Sequence, residues 1–517
     1  MESCKEEKFV LSLDIGTTNI RCYLYNKSAE IVGKSSTPLE TLYPEPQAAE
    51  IDPEVLWKNI QWVIHDCLKT SDIPASKVVS MGISTQRATF IVWDTETGKP
   101  IHNFLVWQDT RGDSISKSWN DSYLMKAIRV GSRSLHVVTQ KDKFLAAAVL
   151  RFRTQHVSTR LLWLMQKYPQ IKTLGKEGKV RFGNIDTWVV WKLTNGKVFA
   201  SEYSCASSTG LYDPYILDWS GFFFNLLGIP RAMFPPILDT DADFGTCHAD
   251  FFGSEIPIRC IIGDQQGAMF GQCCFKSGDV KLTLGTGAFL DLNVGKHPHT
   301  SVAGFYPIIG WKVNGKITHL AEGSANTAGT AVEWLRGMGM INKPDDCEKA
   351  ITDCESSCGT YFVPAFTGIQ APINDYLACG SIMGLTQDTL PCHVIRAVLE
   401  SLAFRNKQLF DAMNSETSLA INKIVCDGGV SVNSFVMQLT SDLIDKQIQQ
   451  PSHSEMSALG AAFVAGLAVK FWQSQDQLCE LLHVTKTYSP NKEVRVKYEP
   501  IMNKWCKAIT RSLNWYK

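Results

Sequence analysis

The chain of 517 residues contains no run of eighteen apolar residues; its most apolar stretch, Phe144 to Leu150, is too short to span a bilayer. Net charge is missing as well. Lys and Arg total 51 against 51 Asp and Glu, which argues against a nucleic acid or membrane surface found by bulk attraction. The first residues, MESCKEEKF, are polar and lack the apolar core of a signal peptide. No low-complexity tract or linker run stands out. No GxxxxGK[ST] loop occurs and no GxGxxG opens a helix, which excludes the Walker A and dinucleotide fingerprints. The sixteen cysteines lack a compact framework and read as reduced thiols of a cytoplasmic protein. Cys347, Cys354 and Cys358 form a loose cluster without a histidine nearby in sequence. They read as helix-face and loop thiols rather than a zinc site.

What is present is an ordinary globular composition, 44% hydrophobic and 20% charged, in a chain too long for one core. Two large domains are expected, residues 8–273 and 274–517. Two segments read as strand, tight turn, strand: Phe9 to Tyr25 and Val280 to Val294. Both turns are rich in glycine and threonine, so their backbone N–H groups and hydroxyls can approach an anion closely. Strands are predicted at Val78 to Ser84, Ile258 to Gly263 and Ile424 to Cys426. Helices are predicted at His393 to Met413, at Asn433 to Ile444, and from Asp186, read as an N-cap, to Leu193. Strands mixed with helices in two comparable halves indicate α/β domains facing a cleft. The basic stretch from Leu124 to Arg160, which includes Lys141, Lys143, Arg151 and Arg153, reads as a solvated helix pair.

Four motifs carry chemistry. Asp14 ends the first strand, where a carboxylate can serve a hydrated magnesium ion. Thr17 and Thr18 offer hydroxyls to phosphate, and Arg21 offers a fork. Asp264, in GDQQG after a buried strand, has two readings that the residues alone leave even: a general base at a cleft rim, or an N-cap of the next helix. Gly285-Thr286-Gly287 repeats the phosphate-cupping turn. Asp427-Gly428-Gly429 with Asn433 follows a strand and opens a helix, where a flat ring can lie on glycine backbone. The four together, in this order, are far more specific than any one.

On these residues the chain resembles the FGGY carbohydrate kinases, and among them the glycerol kinases. The resemblance rests on DIGTTNIR (14–21), STQRATFIVW (84–93), WQDTR (107–111), GNIDTWVVWKLTNG (183–196), IGDQQGAMFGQ (262–272), LGTGAF (284–289), DGGVSVNSFVMQ (427–438) and ALGAAFVAGLAVKFW (458–472). Gly380 to Leu385, followed by Glu400, fits the family's second signature. The likeness implies two actin-like, ribonuclease H-like ATPase domains around a central cleft, with ATP and Mg2+ as cofactors and a small polyol as substrate. It implies nucleotide contacts at Thr17, Thr18, Thr286, Gly329 and Gly429, with Asn433 beside the adenine and Arg21 on the phosphate side. Arg87, Asp264 and Gln265 would hold the polyol hydroxyls, Trp107 and Phe289 would wall its carbon chain, and Asp264 would be the base. Asp14 and Asp264 would serve the metal. The likeness gives no membrane span and no nucleic-acid partner, and leaves a homo-oligomer open.

The pattern also breaks. The family's Gln-Arg-Glu is Gln86-Arg87-Ala88 here, and the expected substrate tyrosine is missing near Gln155 and His156. The segment GIQAPINDYLACG (368–380) departs from the family's loop, and Ser254-Glu255-Ile256 replaces a longer glycine-rich loop that serves feedback regulation in bacterial relatives. Phosphorylation of glycerol leads. A kinase for another small polyol or sugar, or a nucleotide-binding regulator with weak catalysis, stands as the alternative.

Overall fold

The computed structural model describes residues 7–452 and 455–516; the first six residues of the polar start fall outside them. Thirteen strands make its two main sheets. In the first sheet β1 (Phe9–Ile15), β2 (Asn19–Tyr25), β3 (Ile31–Pro38), β4 (Val78–Thr85), β5 (Thr246–Cys247) and β6 (Ile256–Gly263) lie in the order β5-β6-β4-β1-β2-β3. β1 pairs antiparallel with β2 and parallel with β4, and β4 pairs parallel with β6. The register brings Ile15 opposite Thr85 and Gly263 opposite the same residue. The C-terminal ends of three parallel strands therefore align, which is where open α/β sheets carry their sites.

The second sheet repeats the plan with β7 (Asp279–Leu284), β8 (Ala288–Gly295), β9 (Tyr306–Val313), β10 (Lys316–Ala325), β11 (Lys423–Asp427), β12 (Ile448–Pro451) and β13 (Val484–Tyr488). Their order is β9-β10-β8-β7-β11-β12-β13. Again a hairpin, β7–β8, is flanked by two strands parallel to its first member. Both sheets thus have the topology of the actin-like ATPase fold. β1 and β6 are buried along nearly their whole length and are mainly apolar, interrupted only by Ser12, Asp14, Pro257 and Arg259, so both read as strands.

The chain separates into two compact units. One comprises the chain through Cys273 with Ile308–His319 and Glu455–Leu481. The other comprises Cys274–Pro307, the chain from Leu320 to that last segment, and everything from Leu482 onward. Seven helices matter below: α1 (Pro53–Thr70), α2 (Val157–Lys167), α3 (Asp264–Gly271), α4 (Pro391–Thr417), α5 (Ser434–Ile444), α6 (Met456–Ala468) and α7 (Lys492–Ser512). In the first unit, α1 buries Leu56, Ile60, Val63 and Ile64 in the same core as Leu11, Leu13 and Ile83. Helix α6 belongs to this unit, and hydroxyls of the sheet bind its carbonyls: Ser12 to Ala458 at 2.7 Å and Ser80 to Ala465 at 3.2 Å. In the second unit, α4 is buried along most of its length against β7, β8 and β11, and α7 packs Trp505 and Ile509 into a second cluster.

Two expectations need correction. Asp186 is not an N-cap: the cap position of helix Ile185–Leu193 is Asn184, and the Asp186 carboxylate is buried, accepting the Ser201 hydroxyl at 2.8 Å. Burial pushes its pKa up to about 6. The stretch 124–160 does contain a helix pair, Tyr123–Thr139 and Asp142–Val149, with little buried surface. Arg160, however, is wholly buried rather than solvated.

No disulfide forms among the described cysteines. Tertiary folding does bring a histidine to the cysteine cluster, because Cys354, Cys392 and His393 converge. The Leu390 N–H donates to His393 Nδ1 at 3.1 Å as part of the α4 N-terminus. A neutral imidazole accepting there carries its proton on Nε2, so its lone pair is already engaged and the trio is not a ready metal site.

Candidate active site

In the first unit the chemistry gathers at the C-terminal ends of β1, β4 and β6. Asp14 is the last polar residue of β1 and is buried. The turn after it is tight, with the Gly16 N–H donating to Asn19 O at 3.0 Å. Gln86, just past β4, pins this turn: its N–H donates to Ile15 O at 2.8 Å and its side-chain amide to Gly16 O at 3.1 Å. Thr17 is half-buried and accepts the indole N–H of Trp107 at 3.1 Å, which joins the phosphate-type turn to the aromatic wall. Thr18 is exposed.

Burial is the largest influence on Asp14 and lifts its pKa to about 7, with the Asp264 and Glu455 carboxylates adding to the rise. The Ser84 hydroxyl and the Arg21 guanidinium oppose it. Arg21 lies 3.8 Å from Asp14 and 3.3 Å from Glu455, more than four hundred residues away in sequence. Asp14 Oδ1 is buried and has no hydrogen-bond partner among the described residues. A desolvated carboxylate with an unmatched oxygen, facing another carboxylate, suits a divalent cation.

Asp264 occupies the first position of α3, and the N-cap position belongs to Gly263. The bland capping role is therefore not the one it plays. Its Oδ1 accepts the Gln265 N–H at 2.7 Å and lies 3.7 Å from Arg87 Nε. Both Asp264 and Gln265 are partly open to solvent, so a substrate hydroxyl can reach them. Sequence reasoning missed what stands behind Asp264. The Gly263 N–H donates to Ser204 Oγ at 2.8 Å, and that hydroxyl donates to the buried Glu202 carboxylate. Glu202 also accepts N–H groups from Ser204 at 2.8 Å and Cys205 at 2.6 Å, and the Thr240 hydroxyl at 3.2 Å.

Glu202 sets a pH dependence. Burial outweighs these hydrogen bonds and raises its pKa from 4.5 to about 7. The folded state therefore binds the proton more tightly than the unfolded chain. The stabilisation is full below about pH 4.5 and is lost as pH rises through about 7, an effect of about 3 kcal/mol. Thermal unfolding should thus occur at lower temperature at about pH 8 than at about pH 6, with a smaller difference in Glu202→Gln. An undiminished difference in the variant would exclude Glu202 as its source.

The second unit carries the other motifs. The Thr286 turn closes with Gly285 N–H donating to Gly287 O at 2.9 Å. The next helix, Gly329–Gly337, starts directly against it: the Gly329 N–H donates to Gly285 O at 2.9 Å and the Thr330 N–H to Thr286 O at 3.2 Å. A side chain at Gly329 would meet Gly285 O at 2.7 Å, so glycine is needed for the approach. Gly428 has φ +91° and fits against the Leu284 carbonyl, while the space beside Gly429 is open. Thr286, Gly329 and Gly429 are thereby brought together. Asn433 caps α5, its side-chain oxygen accepting the Val436 N–H at 3.0 Å. Phe289 is a half-buried residue of β8.

Residues 9–271 match the N-terminal domain, and 280–469 the C-terminal domain, of the FGGY family of carbohydrate kinases. The chain is similar to Glycerol kinase 5 of Danio rerio, 47% identical with 99% of this chain and 98% of the relative covered. It is also similar to Glycerol kinase 5 of Homo sapiens, 46% identical with 98% and 96% covered. Among solved structures it is similar to Plasmodium falciparum glycerol kinase with ADP, at TM-score 0.87, 31% identity and 98% coverage of both chains. Xylulose kinase of Lactobacillus acidophilus shares the fold at TM-score 0.84 and 20% identity, covering 99% of this chain and all of that one.

Proposed function

In a chain that belongs to the FGGY family of carbohydrate kinases, we propose that the γ-phosphoryl group of ATP passes to a primary hydroxyl of glycerol, giving sn-glycerol 3-phosphate. The observation that carries this reading is the convergence of Asp14, Arg87 and Asp264 at the ends of three parallel strands, with Trp107 bonded to Thr17. Asp264 accepts the hydroxyl proton while the oxygen attacks phosphorus and the bond to ADP breaks. Arg87 and Gln265 orient the hydroxyls. Trp107 covers a C–H face, so polar edges and apolar face are satisfied separately. Thr17, Thr18 and Arg21 in the first unit offer hydroxyls and a guanidinium to phosphate oxygens, and Thr286 in the second unit offers a hydroxyl of the same kind. Gly329, Gly429 and the Asn433 amide receive the nucleoside. The unmatched oxygen of Asp14, beside Asp264, is where Mg2+ would be held, and when bound it offsets the charge of the phosphates. The rate then comes from positioning and from exclusion of water rather than from covalent chemistry.

Ala88 bears on the substrate. It is buried, in the left-handed region at φ +57°, where the glycerol kinases carry a carboxylate. A hydrogen bond to a charged acceptor contributes roughly 1.5–3 kcal/mol. Ala88→Glu should therefore lower the half-saturating glycerol concentration roughly ten- to hundredfold. An unchanged value in a coupled ADP-release assay would mean that glycerol is held differently or is not the substrate. The same vacancy favours a second reading, a larger polyol or a sugar. Dihydroxyacetone, erythritol and pentuloses belong in the assay beside glycerol, and if glycerol ranks last the substrate assignment is wrong.

A further inference from the structure

The most completely buried arginine of the first unit, Arg160, touches neither the Asp14 group nor the Asp264 group. It rises from the first turn of α2 into the interior and has no solvent exposure. Its guanidinium binds backbone carbonyls from three separate stretches of chain. Nη1 donates to Val106 O at 2.6 Å and Leu105 O at 3.2 Å; Nη2 donates to Ala88 O at 2.6 Å and Gln155 O at 2.8 Å. No carboxylate forms an ion pair with it among the described residues; Asp109 acts on it only at longer range. The Phe90 ring lies 5.6 Å from its central carbon.

Two of the four bound carbonyls, Ala88 O and Val106 O, stand one peptide from a residue of the proposed polyol pocket. Ala88 follows Arg87, Val106 precedes Trp107, and Gln155 lies where the family's substrate tyrosine is absent. Ala88 is in a backbone region that alanine enters at a cost of roughly 1–2 kcal/mol, and it needs an outside restraint to stay there. The short bond from Nη2 supplies one. An arginine suits this task because its planar fork reaches several acceptors in fixed directions, whereas an ammonium donates from a single point. Burying an unpaired cation is expensive, and four carbonyl dipoles are what the fold provides in return.

We propose that Arg160 is a positioning residue for the polyol: it locks the Ala88, Val106 and Gln155 carbonyls together and so sets Arg87 and Trp107 at the spacing the substrate requires. The proposal rests on the reading of Arg87 and Trp107 as polyol-binding residues. It accounts for how a pocket without the family's carboxylate and tyrosine can stay ordered, since the backbone is held from behind.

The test compares Arg160→Lys and Arg160→Gln with the full-length parent, using whichever polyol of the panel the parent turns over fastest, so that failure of glycerol alone leaves the comparison intact. Arg160→Gln removes the buried charge and keeps two donors, which guards against a lysine variant that does not fold. The expected result is a rise of at least about tenfold in KM for the polyol in either folded variant, with KM for ATP unchanged. Arg160→Lys combined with Arg87→Ala should then raise KM by less than the product of the two single effects, because Arg160 acts in part through Arg87. A lower unfolding temperature with an unchanged polyol KM would overturn the proposal, and so would additive effects in the double variant. If the parent neither turns over nor binds any polyol of the panel, calorimetry included, the functional reading falls and this proposal with it.

Discussion

Asp264→Asn is expected to lower turnover by about 10²–10⁴-fold while ATP binding stays nearly unchanged. The carboxamide oxygen can still accept the Gln265 N–H, as Oδ1 does now at 2.7 Å, so the start of α3 keeps its local structure. What is lost is basicity. An amide cannot take the hydroxyl proton, and the attacking oxygen must then carry it into the transition state. Arg87, 3.7 Å from Oδ1, also loses its ionic partner, so a modest rise in polyol KM should accompany the loss of turnover. ADP release reports the rate and calorimetry reports nucleotide affinity. Equal turnover in the variant would remove Asp264 as the base. Loss of nucleotide affinity on the same scale would mean that its role lies in assembling the site.

Gly460→Ala is the substitution with the largest expected effect on the fold. Helix α6 runs so close to α3 that a methyl group at Gly460 would collide with the Gly267 carbonyl oxygen and crowd the Gly271 N–H. Across the same helix, a side chain at Gly82 of β4 would collide with the Ala461 carbonyl. The obstructing atoms are backbone, so no rotamer change relieves the clash, and the cost belongs at or above the top of the ~1–3 kcal/mol range for overpacking. The effect reaches the chemistry too. Asp264 is the first residue of α3, and a helix displaced to admit the methyl carries that carboxylate away from Arg87. We expect either insoluble protein or a folded variant with a lower unfolding temperature and at least about a hundredfold loss of turnover. A variant that matches the parent in both would show that the α3–α6 approach is not tight in solution.

Much of this was legible in the chain itself. Short, mainly apolar segments such as Phe9 to Ile15 and Ile258 to Gly263 read as strands, and a Gly-Thr turn between two such segments reads as a hairpin. These are short-range facts, set by residues within a few positions of each other. So are the placement of Asp14 at a strand end and of Asp264 just past one. The tertiary structure decided everything that depends on partners distant in sequence. It brought Glu455 to Arg21, laid residues 455–481 in the first unit, and set Glu202 and Ser204 behind Gly263. It took Arg160 out of a basic stretch that looked solvated and enclosed it among carbonyls. Periodicity cannot foresee such meetings, because a buried charge is tolerated only where the fold supplies its hydrogen bonds, and those come from backbone whose position no local pattern encodes.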